Sequence, residues 1–313
     1  MPIEELCAEF DIHGIVRTRT AEGGHINVTR IIDAESGRYV LQRLHPKMDV
    51  SKLARNYSLY SGVCDRHGWL YPVWLAGREG SCFVRDSEGF FWRMYPFLEG
   101  EIREAPLSGK LLYSCGQGLA VMHAIFAEMP AEPEAVYPGL HDTAKYYREY
   151  RQILDGEEVC GELRDAGLEE LIEKRMEKLP DATAEKCSVV HGDTKLSNIL
   201  FRNGKVAGCL DLDTIMKGSI CEDIADCLRS CCVRGAGPEA AVSECLIAGY
   251  ADASGQITEA ELKERVPAVF DRICFELGLR YYADAISGGK RFGERYPGYR
   301  MERARQLLIR ERR

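Results

Sequence analysis

Two spacings of apolar residues divide the chain. Up to about residue 95, short runs with strand-like alternation are separated by turn signals. "HINVTRIID" and "RYVLQRL" flank "AESG", which predicts a hairpin, and "GSCFVRDSEGFFWRMYPF" predicts a second one turning at "DSEG". Between them, "VSKLARNYSLYSGVCDRHG" reads as a helix closed by Gly68. From about residue 105 the spacing becomes helical. "SGKLLYSCGQGLAVMHAIFAEM" keeps a strong apolar stripe despite three glycines, and "TAKYYREYRQILDG", "LEELIEKRMEKL" and residues 238–252 follow it. Residues 261–310 read as helical with a break at "SGGKRFGERYPGY". The pattern predicts an α+β protein of two lobes, a small β-rich lobe over 1–95 and a larger helical lobe over 96–313.

Composition narrows the class. The 313 residues are 45% hydrophobic and 29% charged, which is ordinary for a protein with a full core. No apolar run reaches the ~20 residues that span a bilayer, and "MPIEELCAEF" lacks the basic and apolar segments of a signal peptide. The expectation is a cytoplasmic protein with no membrane partner. A net charge of −8 does not favour nonspecific nucleic-acid binding. The 13 cysteines are scattered without a zinc-type spacing and read as small buried apolar residues. Oligomeric state stays open.

One stretch inside the helical part demands chemistry. "SVVHGDTKLSNILF", the turn "RNGK" and "VAGCLDLDT" place Asp193, Asn198 and Asp211 beside apolar runs, where an unpartnered carboxylate is costly. Phosphoryl transfer asks for this set. One carboxylate orients the attacking hydroxyl and accepts its proton, while an amide oxygen and a second carboxylate hold the Mg²⁺ on the nucleotide phosphates. Asp193 fits the first role, and Asn198 and Asp211 fit the second. "NILF" and "VAGCLDL" read as two paired strands that return Asp211 to Asn198. His191 braces the loop. Asp213 either positions Asp211 or faces solvent, and Asp223 and Asp226 open a helix, where Asp223 could also brace the loop.

"HGDTKLSNILF" with "LDLD" resembles the Brenner-type motif of the aminoglycoside phosphotransferase and choline kinase superfamily. That resemblance implies a bilobal protein-kinase-like fold and ATP with Mg²⁺ as cofactors. "GGHINVT", "YVLQRLHP", "WRMYPFLEG", "GLHDT", "LDLDTIMKG" and "RYPGYRMERARQ" occur in the order found in the N-acetylhexosamine 1-kinase group, from about residue 14 to 310. The likeness implies transfer of the ATP γ-phosphate to the anomeric hydroxyl of N-acetylglucosamine or N-acetylgalactosamine. The residues alone support a small-molecule kinase, and a same-fold kinase for an aminoglycoside, choline or a homoserine-like metabolite is the alternative. A nucleotide-binding pseudokinase is a further one.

The remaining candidates follow in this setting. In "EGGHIN" the glycines let backbone N–H groups approach phosphate oxygens, so Gly23, Gly24, His25 and Asn27 are nucleotide-binding candidates. "RYVLQRLHP" has no lysine where kinases carry one. Gln42 and Arg43 face opposite ways on that strand, and Arg43 is taken as the replacement cation. The backbone around Tyr95 and Phe97 is the candidate for adenine, with Pro96 able only to accept. Lys195, two residues after Asp193, is the candidate for stabilising the transferring phosphoryl group. For the sugar, besides Asp193, the candidates are His141, ahead of an N-cap at Asp142 or Thr143, and Arg303, which the family likeness places against sugar hydroxyls. Trp92, Tyr296 and Tyr299 are aromatic candidates for the sugar face.

Overall fold

The computed structural model describes residues 1–21, 27–156, 159–178, 188–232, 240–289, 291–293 and 295–309. It has the predicted two lobes. The first is a five-stranded antiparallel sheet, β1 (Ile15–Thr20), β2 (Val28–Ala34), β3 (Gly37–Arg43), β4 (Val84–Arg85) and β5 (Phe91–Pro96), in the order β1-β2-β3-β5-β4. Both expected hairpins form, β2–β3 closing at the Ala34–Gly37 pair and β4–β5 around "DSEG".

Each face of this sheet has its own apolar cluster. Helix α1 (Ile3–Glu9) lays Leu6 and Cys7 on the outer face, against Ile32, Leu41, Trp92 and Met94. On the inner face Val40, Leu44 and Tyr95 meet Met48, Trp74, Val136 and Leu53 of α2 (Val50–His67). Helix α2 starts at Asp49, whose carboxylate caps Ser51 and Lys52 N–H, and ends on Gly68 in the left-handed region at φ 63°. The side-chain period of two then decides which polar residues of β3 and β5 look towards the second lobe.

That second lobe holds α3 (Gly109–Ala127), α4 (Thr143–Leu154), α5 (Ala166–Met176), α6 (Ile220–Cys231), α7 (Ala240–Ser254), α8 (Glu259–Ile286) and α9 (Tyr299–Leu308) around one large core. Close contact between α3 and α7 uses one glycine from each helix. A Cβ on Gly116 would lie 2.0 Å from the Leu246 carbonyl, and one on Gly249 of α7 would lie 2.1 Å from the Tyr113 carbonyl. The helices touch backbone to backbone there, a contact worth more than the helix propensity that glycine gives up.

Two small ladders carry the acidic motif. β6 (Ser188–Val190) pairs with β9 (Met216–Gly218), and β7 (Ile199–Arg202) pairs with β8 (Lys205–Cys209). The β7–β8 turn puts Asn203 at φ 51° and Gly204 at φ 72°, the two positive values that an Asn-Gly hairpin turn needs. Ile199 faces Cys209, and Leu210 N–H donates to Asn198 C=O at 2.8 Å, so the hairpin returns Asp211 to Asn198 as the sequence predicted. Among the described residues no helix is long and apolar enough to cross a membrane.

Candidate active site

The loop from His191 to Asn198 is held by buried polar groups on both sides. Asp223, in the first turn of α6, accepts from the His191 and Gly192 N–H groups at 2.8 Å each and from His123 Nε2 at 2.9 Å. Thr194 Oγ1 donates to the Asp223 carbonyl at 2.5 Å. Burial works to raise the Asp223 carboxyl, but His123 and the His191 side chain and N–H hold it below its ordinary range. His191 Nε2–H donates to Leu210 C=O at 2.8 Å, which leaves Nδ1 to accept from Asp193 N–H at 3.3 Å. The imidazole thus ties the loop to the strand before Asp211.

Four polar side chains meet at the mouth of this loop. Lys195 Nζ lies 2.6 Å from Asp193 Oδ2. Asn198 Nδ2 donates to the Asp193 carbonyl at 2.8 Å and to Oδ2 at 3.1 Å, so its amide oxygen is turned the other way. Burial would raise the Asp193 carboxyl, and the Lys195 ammonium, with smaller help from His191 and Arg229, holds it low instead. Asp211 sits at φ 58°, ψ 55°, a backbone conformation that costs a side-chain-bearing residue energy and recurs at functional sites. Its carboxyl is pushed up to about 6, first by burial and then by the neighbouring carboxylates of Asp213 and Asp193, against Lys195.

Asp211 and the amide oxygen of Asn198 have no hydrogen-bond partner among the described residues. Clustered carboxylates in want of positive charge, beside a free amide oxygen, are a donor set that fits a hard divalent cation such as Mg²⁺.

The β-rich lobe departs from expectation at the strand cation. Arg43 shares the outer face with Leu41 and Trp92, and its guanidinium stacks over Phe90 at 4.6 Å and Trp92 at 6.0 Å. It points away from the cleft, because the one-residue alternation turns Gln42 inward instead. The inward cation is Arg93 of β5, opposite Gln42 in the ladder and 2% exposed. It donates to Asp213 Oδ1 at 2.5 Å and Oδ2 at 2.9 Å, and to Gln42 Oε1 at 2.9 Å. Asp213, open to either role from the sequence, is therefore buried and paired. Asn27 Nδ2 also reaches Asp213, at 3.3 Å, and its Oδ1 accepts from His45 N–H at 3.2 Å. Gly23, Gly24 and His25 lie outside the described residues. Lys47, four residues past Arg43, lines the cleft and was overlooked in the sequence because it falls after the strand.

At the lobe connection, Phe97 N–H donates to Arg38 C=O at 2.9 Å, and Tyr95 pairs with Val40. Ladder alternation turns the backbone groups of Tyr95 into β3 and the carbonyl of Pro96 away from it. Of the aromatic candidates, Trp92 lies on the outer face and Tyr299 lines the cleft, while Tyr296 is 40% exposed outside the lining.

In the helical lobe His141 lines the cleft, but both its nitrogens are engaged. Nδ1 lies 3.2 Å from Glu276 Oε2 and Nε2 lies 3.1 Å from Gly192 C=O. Two acceptors require the doubly protonated ring. Burial opposes that charge, and Glu276 outweighs it, pushing His141 up to about 9. His141 therefore supports the loop next to Asp193, and Asp142 is the N-cap of α4, accepting from Lys145 N–H at 2.8 Å. The other buried acids here are paired too. Asp226 meets Arg229 at 2.7 Å, and Asp284 meets Arg300 at 3.1 Å. Arg303 donates to the neutral Gln306 at 2.7 Å, and Arg280 stacks over Tyr146 and Phe292 at 5.0 and 5.5 Å. Among the described residues neither arginine has an acidic partner, and both line the cleft. Glu276, Arg280 and Arg229 carry no local motif, so nothing in the sequence marked them.

Comparison with known proteins bears on the family and the fold. A homoserine kinase from Gluconacetobacter diazotrophicus is 27% identical over 267 residues, covering 80% of this chain and 76% of that protein. A macrolide 2′-phosphotransferase from Brachybacterium faecium superposes with a TM-score of 0.60 at 18% identity, covering 99% of both chains. An amicoumacin kinase solved with AMP-PNP, Ca²⁺ and its antibiotic gives a TM-score of 0.64 at 11% identity, covering 98% of this chain and 93% of that one. The model of the phosphotransferase enzyme family matches residues 17–264, and the chain belongs to that family.

Proposed function

We propose that the chain transfers the γ-phosphate of ATP to the anomeric hydroxyl of an N-acetylhexosamine, GlcNAc or GalNAc, in the cytoplasm. The observation that supports it is the charge balance of the acceptor half of the cleft. Glu276, Asp226 and Asp284 are each paired with a cation, while among the described residues Arg280 and Arg303 have no acidic partner. A cationic aminoglycoside needs free carboxylates, and choline needs carboxylates or aromatic faces, whereas a neutral sugar needs donors for its hydroxyl and acetamido oxygens. The anomeric position rests on the chain-long resemblance.

In this reading Asp193, ionised and held through Oδ2, presents Oδ1 to the acceptor hydroxyl, orients it and takes its proton. Lys195 faces the charge that builds on the transferring group. Asn198 and Asp211 would hold Mg²⁺, which neutralises the nucleotide phosphates when bound. Adenine would meet the outward Pro96 carbonyl, and the turn with Gly23, Gly24, His25 and Asn27 would cover the phosphates.

A second reading has its own support. The homoserine kinase relative spans most of the chain, and an unpaired arginine suits a carboxylate. Turnover should therefore be measured on GlcNAc, GalNAc, their methyl glycosides, homoserine, choline and kanamycin. The sugar reading expects both hexosamines to react and their methyl glycosides, which lack the anomeric hydroxyl, to be inert. Reaction of homoserine with no turnover of either hexosamine would replace it.

A further inference from the structure

The pair Arg93–Asp213 crosses between the lobes, and its surroundings suggest what it is for. Thr29, Gln42 and Arg93 lie opposite one another on three neighbouring strands, β2, β3 and β5. They form a hydrogen-bonded row. Gln42 Nε2 donates to Thr29 Oγ1 at 3.1 Å, and Arg93 Nε donates to Gln42 Oε1 at 2.9 Å. The row ends on Asp213 of the helical lobe, which takes both Arg93 Nη atoms and Asn27 Nδ2. Trp74 closes the other side, with the guanidinium 4.9 Å from its ring. A planar fork on a carboxylate fixes angle as well as distance.

Asp213 stands two residues after Asp211 in one tight turn, Leu212–Thr214. The catalytic loop holds the same turn from behind, through Thr214 Oγ1 on the His191 carbonyl at 2.7 Å and His191 Nε2 on the Leu210 carbonyl at 2.8 Å. Asp211 itself has a left-handed backbone and a carboxylate without a hydrogen bond from the described residues. A strained residue keeps its conformation only when its neighbours over-determine it. Here the neighbours are the loop on one side and the sheet on the other. Asn27 extends the same contact to the start of β2.

We propose that Arg93 and Asp213 are positioning residues: an interlobe clamp that aims the Asp211 carboxylate at the nucleotide-bound cation and sets the β-rich lobe over it. The clamp rests on the cation site proposed above. Arg93 acts through Asp213 and touches no substrate. The absent lysine of β3 is then no defect, because the inward cation is supplied by the neighbouring strand and spent on alignment of the lobes.

The test uses the full chain in steady-state assays with Mg²⁺ and ATP titrated separately. Removing one partner of a buried ion pair can unfold a protein, whereas replacing both by apolar groups is commonly tolerated. The main variant is therefore the double one, Arg93→Met with Asp213→Leu, with Arg93→Lys as a milder single one. The double variant should unfold cooperatively near the parent temperature. Its half-saturating Mg²⁺ and ATP KM should rise at least tenfold, while acceptor KM stays within threefold. Arg93→Lys, which keeps the charge and loses the fork, should fall between parent and double variant. Unchanged Mg²⁺ and ATP half-saturation in Arg93→Lys and in a folded double variant overturns the clamp. Asp211→Asn is run alongside. If it raises the Mg²⁺ requirement and the clamp variants do not, the clamp alone falls; if it has no effect either, the cation site and the clamp fall together.

Discussion

Lys195 Nζ and Asp193 Oδ2 lie 2.6 Å apart, and Asn198 Nδ2 shares that oxygen at 3.1 Å, so one edge of the carboxylate is fixed by the protein. Oδ1 takes no hydrogen bond from the described residues. An acid held this way stays ionised at neutral pH and keeps a single open oxygen for an incoming hydroxyl. Asp193→Asn preserves the shape and removes the proposed base. Turnover should drop by about 10²- to 10⁴-fold, with ATP affinity by calorimetry within threefold of the parent. Turnover within about threefold of the parent, under 1 kcal/mol of barrier, would remove Asp193 from that role.

The proposed cation site makes a different demand. Asp211 contributes a charge and Asn198 a neutral oxygen, and Mg²⁺ keeps several waters besides its protein ligands. Asp211→Ala should shift the Mg²⁺ titration further than Asn198→Ala does, each by at least several-fold in half-saturating concentration. Identical Mg²⁺ curves for parent and both variants would move the cation elsewhere in the cleft.

The sequence gives away the parts of this site whose partners are near neighbours along the chain. Asp193, Asn198 and Asp211 share a loop and a hairpin, and the Asn-Gly turn between β7 and β8 announces the hairpin by itself. Arg93 and Asp213 are separated by 120 residues, and His141 and Glu276 by 135, so neither pair leaves a local pattern. Arg43 shows the limit of periodicity. Alternation puts Gln42 and Arg43 on opposite faces of β3 but is silent on which face meets the helical lobe. That choice is made by α1, which covers Leu41, Trp92 and Met94 and leaves Arg43 on the outer face. Likewise the three glycines of α3 weaken the helical signal, and only tertiary contacts explain two of them, Gly116 against the backbone of α7 and Gly118 against the Val206 side chain of β8.

His141 and Glu276 should make stability depend on pH. Folding raises the proton affinity of His141, from the ordinary 6.5 to about 9. The stability it contributes is complete below 6.5 and is lost as pH rises through about 9. Glu276 is shifted the other way: burial works to raise it, His141 holds it low, and its contribution is present above 4.5 and lost on acidification. At ~1.4 kcal/mol per tenfold change in proton affinity, the His141 part is ~3 kcal/mol. Thermal unfolding midpoints should fall between pH 6.5 and 9 in the parent and change less in His141→Gln. Parallel curves for the two proteins would mean that His141 is neutral in the fold.

Arg280 separates binding from chemistry. It lies four residues beyond Glu276 on α8, which puts it about 6 Å further along the helix axis from the support of the Asp193 loop. Its guanidinium lies over Tyr146 and Phe292, and among the described residues no acid pairs with it. In the proposed acceptor site a donor in that position would contact a part of the acceptor away from the reacting hydroxyl, so its contribution would be equal in the ground and transition states. Arg280→Met keeps most of the packing against the two rings and removes the donors. Hydrogen bonds to a charged group are worth ~1.5–3 kcal/mol, so acceptor KM should rise about tenfold or more, with kcat within threefold and ATP KM unmoved. A fall in kcat at constant KM would place Arg280 on the reacting atoms instead. An unchanged acceptor KM for every acceptor that reacts would take it out of the acceptor site, and with it the charge argument that favours a neutral sugar over a cationic one.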